Sequence, residues 1–152
     1  MRGILLGLLL AGGLAGAAEA ADFVVVSSTD PAIPRGQEFA SGAALQIAPG
    51  KSIVLIDPAG NVKRLNGGAT AIALPRRQLA RIDEQRMGVL KLLVAPPRVR
   101  RAVPSLSKVC PDADMTTFDG IVTVAQVDGC LTRARDAFEV YVEKAAGLST
   151  GA

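Results

Sequence analysis

The side chains able to do chemistry are few. There is no histidine in 152 residues, which removes His-based triads and most zinc sites. The two cysteines, Cys110 and Cys130, lack the Cys-x-x-Cys spacing of a redox pair. They are expected to join as a structural disulfide in an oxidising compartment. Ser105-Leu106-Ser107-Lys108 holds a Ser-x-x-Lys spacing, which on a helix sets a nucleophilic serine one turn from a lysine. Here it follows Pro104 in a basic stretch, without the companion elements of the enzymes that use it. Asp112, Asp114 and Asp119 with Gly120 outline an acidic cation loop. Counted from Asp112, however, the sixth and twelfth positions are Thr117 and Thr123, where a calcium EF-hand needs Gly and Glu. Asp57 and Asp83 are candidates for a carboxylate pair that no spacing brings together. The glycine-rich stretches contain neither a Gly-Lys-Ser/Thr nor a Gly-x-Gly-x-x-Gly phosphate cradle. No catalytic residue, cofactor or metal ligand is assigned on this reading.

Charge is unevenly placed. Residues 21–75 carry four acids and four bases, residues 76–108 nine bases against Asp83 and Glu84, and residues 109–152 seven acids against three bases. The middle and the tail can attract each other within the fold. The other use of the basic middle is a patch at Arg98, Arg100, Arg101 and Lys108 for an acidic protein or an anionic membrane surface. Nucleic acid is not expected as a partner: four Phe, one Tyr and no Trp leave little for stacking bases.

The elements that would position these groups begin after an export signal. Arg2 gives a positive start, residues 4–14 an apolar run, and Ala18-Glu19-Ala20 a small-x-small cut before Ala21, with Gly16-Ala17-Ala18 a second choice. About eleven apolar residues are too few to span a bilayer, which takes ~20. The expected product is an exported protein of residues 21–152, in the bacterial periplasm or outside the cell, with room for one core.

Residues 21–75 read as β-structure. Residues 23–28 (FVVVSS), 44–48, 53–57 and 62–65 are short apolar or β-branched runs. Between them lie Pro49-Gly50, Asp57-Pro58-Ala59-Gly60 and Asn66-Gly67-Gly68, all turn chemistry. Residues 76–108 read as a basic helix and linker: Pro75 opens a helix to about Met87, Gly88 interrupts it, residues 89–95 form a helix end or a buried strand, and Ala95-Pro96-Pro97 stops either. Residues 109–152 read as a helical tail with the disulfide. Val127, Leu131, Ala134, Phe138, Tyr141 and Ala145 form a helical stripe ending at Gly147. Asp128 is expected to be its N-cap, with residues 121–127 as a preceding strand; the other reading starts the helix near Asp119 and carries it through Gly129. Arg133 with Asp136, and Arg135 with Glu139, are expected on its polar face.

The rhythm of residues 36–67, ALQIAPGKSIVLIDPAGNVKRLNG at its heart, resembles the opening of small uncharacterised bacterial envelope proteins. More distantly it is similar to the β-rich periplasmic domain of FecR-type anti-sigma regulators. That resemblance implies a binding or structural β domain and brings no active-site residues with it. The expectation is an α+β chain: a small antiparallel β-sandwich or roll, then a helical, disulfide-closed C-terminal region. Its expected role is a non-enzymatic protein–protein contact in the cell envelope, the alternatives being a small hydrolase or a cation or ligand binder.

Overall fold

The computed structural model describes residues 21–76, 81–96 and 109–148. The expected export signal, the expected patch at Arg98, Arg100, Arg101 and Lys108, and Ser105 lie outside them. The chain forms β1 (Ala21–Ser28), β2 (Glu38–Ala40), β3 (Ala44–Leu45), β4 (Ser52–Ile56), β5 (Val62–Asn66), β6 (Ile72–Ala73), then α1 (Arg81–Val94), α2 (Phe118–Ala125) and α3 (Leu131–Ala145). This is the expected α+β order of antiparallel sheets followed by helices.

The main sheet runs β2-β1-β4-β5, every pair antiparallel, and β3 pairs with β6 in a second sheet. The two central strands read as unbroken apolar runs, Val24–Val25–Val26 and Ile53–Val54–Leu55–Ile56, because both of their faces are covered. Val24, Val26, Val54 and Ile56 face the helices, in a cluster with Leu90, Leu93, Ile121, Val124, Ala134 and Phe138. Phe23, Val25, Ile53, Leu55 and Leu65 face the other way, against Ile33, Leu45, Ile47 and Leu74 beneath the small sheet. The edge strand β5 turns Lys63 and Arg64 outward, charges that discourage edge-to-edge pairing. The Asp57–Gly60 turn closes with the Gly60 N–H donating to the Asp57 carbonyl at 2.9 Å.

The helices depart from expectation in three places. α1 is not interrupted at Gly88, and of the two readings of residues 89–95 the helix end holds, residues 89–94 continuing α1. A mid-helix glycine costs only about 1 kcal/mol against alanine, and Met87, Val89, Leu90, Leu93 and Val94 are all buried by the packing that offsets it. Residues 121–125 are helix and not strand. Thr117 caps α2, its Oγ accepting from the Gly120 N–H at 3.2 Å, and burial of Phe118, Ile121, Val122 and Val124 overrides β-branched propensity. Asp128 does not cap α3: the cap is Cys130, and Gly129 at φ +89° holds a left-handed turn between α2 and α3 that a continuous helix excludes. The buried stripe of α3 is Ala134, Phe138 and Val142, while Ala145 is exposed. Gly147, at φ +65°, follows the helix as expected, with the Leu148 N–H returning to the Glu143 carbonyl at 2.8 Å.

Candidate interaction surface

The expected chemical groups are mostly occupied by structure. Cys110 and Cys130 form a disulfide, and Cys130 is buried in the core. Asp57 is buried and holds its own turn: Oδ1 accepts from the N–H groups of Ala59 and Asn61, and Oδ2 from the Asn61 side chain. The side chain of Asp83 lies outside the described set, so a pair with Asp57 is not seen. The acidic loop is dispersed among separate partners. Asp114 Oδ1 accepts from Thr116 N–H at 2.9 Å and Thr116 Oγ1 at 2.6 Å, bonds that hold its carboxyl below the usual range. Asp119 pairs with Arg86 at 2.6 Å. Among the described residues, no group of three or more His, Cys, Asp or Glu stands together to hold a metal ion.

The most developed surface surrounds the C-terminal end of α1. The last carbonyls of a helix lack internal partners and carry the negative end of its dipole. Here two arginines answer them. Arg135, from α3, donates to the Leu92 carbonyl through Nε at 3.0 Å and Nη2 at 2.6 Å. Arg35, from the loop before β2, donates to the Val94 carbonyl at 3.3 Å and to the Val26 carbonyl of β1 at 2.9 Å. Its fork also takes the Glu139 carboxylate. Arg35 therefore ties β1, α1 and α3 at one point. Their spacing on α3 had set Arg135 with Glu139, but each instead bonds to an element outside its own helix.

Between these ties lies an open groove of about 630 Å³. Leu93, Val94, Ala95 and Pro96 form its apolar side; Arg35, Thr132, Arg135, Asp136 and Glu139 form its polar side. Across Arg35 a second depression of about 270 Å³ continues toward β2, bordered by Glu38 and Lys91, which pair at 2.9 Å. The result is an apolar strip with charges of both signs along its edges. Such a strip suits a partner segment carrying apolar and charged side chains together better than a uniformly charged ligand. Among large apolar side chains, Leu92 of α1 is 52% exposed and Val140 of α3 65% exposed, so the helical layer also offers apolar contact outside the groove.

Arg35 was not singled out by sequence, and Arg135 and Glu139 were placed only on the polar face of their own helix. The Arg35–Glu139 tie joins residues 104 positions apart, and nothing local marks it. The only hint was the surplus of capping demand at the end of α1, with no lysine or arginine after Lys91 within the helix.

Searches against protein-family models, curated proteins and solved structures gave no match to this chain. Among the described residues, no helix is long and apolar enough to cross a membrane.

Proposed function

We propose that the chain is exported to an oxidising compartment, the bacterial periplasm or the cell exterior, and acts there as a non-enzymatic protein that binds another envelope protein. The observation that carries the binding reading is the groove at the end of α1, with its apolar side and its edges of paired charges. Export is supported by the positive, apolar and small-x-small opening of the sequence and by a disulfide whose Cys130 is built into the core. The resemblance of residues 36–67 to envelope β domains is consistent with a scaffold that presents a binding surface. In this reading the main sheet is the rigid support, covered on both faces, and the helical layer is the presenting surface. A partner side chain lies on Leu93, Val94 and Pro96 while its polar neighbours meet Arg35, Asp136 and Glu139.

Site-specific photocrosslinking in the native envelope tests this. A photoreactive residue at Thr132 or Asp136, in the groove, is expected to capture the same envelope protein, and one at Lys63, on the exposed edge of β5, is not. Equal capture from all three positions, or none from the groove, contradicts the assignment.

A further inference from the structure

Asp22 is the second residue of β1 and is 3% exposed. Its Oδ2 accepts from the Ser41 N–H at 2.8 Å. Its Oδ1 is fully buried and has no hydrogen-bond partner. A buried carboxylate oxygen left open is costly, and native proteins seldom retain one. The residue also sits at an irregularity in the sheet. Ala21 lies opposite Ala40 and Phe23 opposite Phe39, so that Asp22 is the extra residue of a bulge, a device that re-aims a side chain. The bulge sends the carboxylate toward the strand end where Ser41 follows Ala40. There Ser41 Oγ in turn donates to the Pro75 carbonyl at 3.1 Å. Arg76, which follows Pro75, has its Cγ and Nε 3.3 Å from where a Cβ on Gly42 would be. It leaves Oδ1 unpaired.

The sequence places the export cut between Ala20 and Ala21, one residue before Asp22. In the precursor the nitrogen of Ala21 is a neutral amide. After the cut it is an α-ammonium with three donors and a positive charge at neutral pH. We propose that this new α-ammonium is the partner of Asp22 Oδ1, so that removal of the leader completes the charge balance of the central strand and stabilises the fold. No bond is made beyond the hydrolysis that export already performs: water adds across the Ala20–Ala21 amide, leaving a carboxylate on the leader and the amine on the chain. The consequence is directional. The precursor carries an open buried carboxylate oxygen and is the weaker fold; the exported product is the stronger one. This inference rests on the export reading above.

The test uses the processed protein purified from cells expressing the full chain. Its first residue is read by mass spectrometry, and its α-amine is then selectively acetylated. Thermal midpoints are compared for the free and acetylated forms of the wild type and of Asp22→Asn. Acetylation is expected to lower the wild-type midpoint by about 4 °C, the scale of one charge-assisted bond in a chain of this size, and to leave Asp22→Asn unmoved. An NMR titration of the wild-type α-amine needs no variant and keeps the question decidable if Asp22→Asn fails to fold; it is expected to show a pKa above the ordinary value. A product starting at Ala21 whose amine titrates normally, or whose midpoint responds to acetylation equally in both proteins, overturns the pairing and leaves export standing. A product that keeps its leader, or starts elsewhere, overturns the pairing by removing the cut on which it depends.

Discussion

At the scale of single residues, the fold rests on a few polar groups and on glycines, Gly60 among them, that the chain cannot exchange. Gly60 adopts φ +88°, and a Cβ there would stand 2.6 Å from the ring of Phe118. Its carbonyl also accepts the Tyr141 hydroxyl at 2.7 Å. That hydroxyl's pKa is raised by burial, and further by the Asp57 and Asp119 charges. Gly60→Ala adds backbone strain and a clash where the β5 turn meets α2, and is expected to cost about 2–4 kcal/mol in urea denaturation. Asp30 is buried and ties two loops, Oδ2 accepting from the Ala48 N–H at 2.9 Å and Oδ1 from the Ala32 N–H at 3.0 Å. Those bonds, that to Ala48 first, hold its carboxyl below the reference value of 3.8. A lowered folded pKa means stability that is whole above the unfolded value and lost as pH falls through the folded one. Asp114 has the same sign. The melting midpoint is therefore expected to fall as pH drops below about 4. Asp30→Asn, which cannot accept both bonds, should melt lower at pH 7 and show a shallower acid decline. An acid profile equal in slope for both proteins would contradict the role given to Asp30.

Secondary-structure elements show what local sequence does and does not determine. β1, β4 and β5 were legible because β-branched runs were bounded by turn residues with a definite backbone requirement, such as Pro49-Gly50 and Asp57–Gly60. β2 and β6 were not, since Glu38–Ala40 and Ile72–Ala73 are strands only by virtue of partners found through the tertiary fold. α2 was misread for the opposite reason. Its β-branched residues argue for a strand locally, and only the Thr117 cap and burial against α1 and α3 make it a helix. The groove was the least legible feature of all, because it exists where three elements distant in sequence meet. Arg35 is the residue that holds them. Arg35→Met removes its donors to Val26, Val94 and Glu139 and is expected to cost about 1–2 kcal/mol, the half-exposed ion pair adding little of that. Arg35→Lys should recover less than half, because a single ammonium cannot reproduce the fork. Full recovery by lysine in a denaturation series would show that charge alone matters at this junction.

Across the whole molecule, one sheet serves two cores. The helical side is closed by the Cys110–Cys130 link, which spans 20 residues and encloses α2. Opening it is expected to cost about 3 kcal/mol. Amide exchange should accelerate first in α2, whose position depends on the link, and last in β1 and β4, which are covered on both faces. Uniform acceleration across sheet and helices would mean the link stabilises the molecule without locating α2. The same link bears on where the protein works, because a half-cystine packed into the core belongs with folding in an oxidising environment. Export to such an environment is the central claim. The intact mass of the protein isolated from its own cells under thiol-trapping conditions tests it most directly. The account predicts a chain beginning at Ala21 with both cysteines joined and no trapped thiol. A chain that retains residues 1–20 and carries two trapped thiols would contradict it.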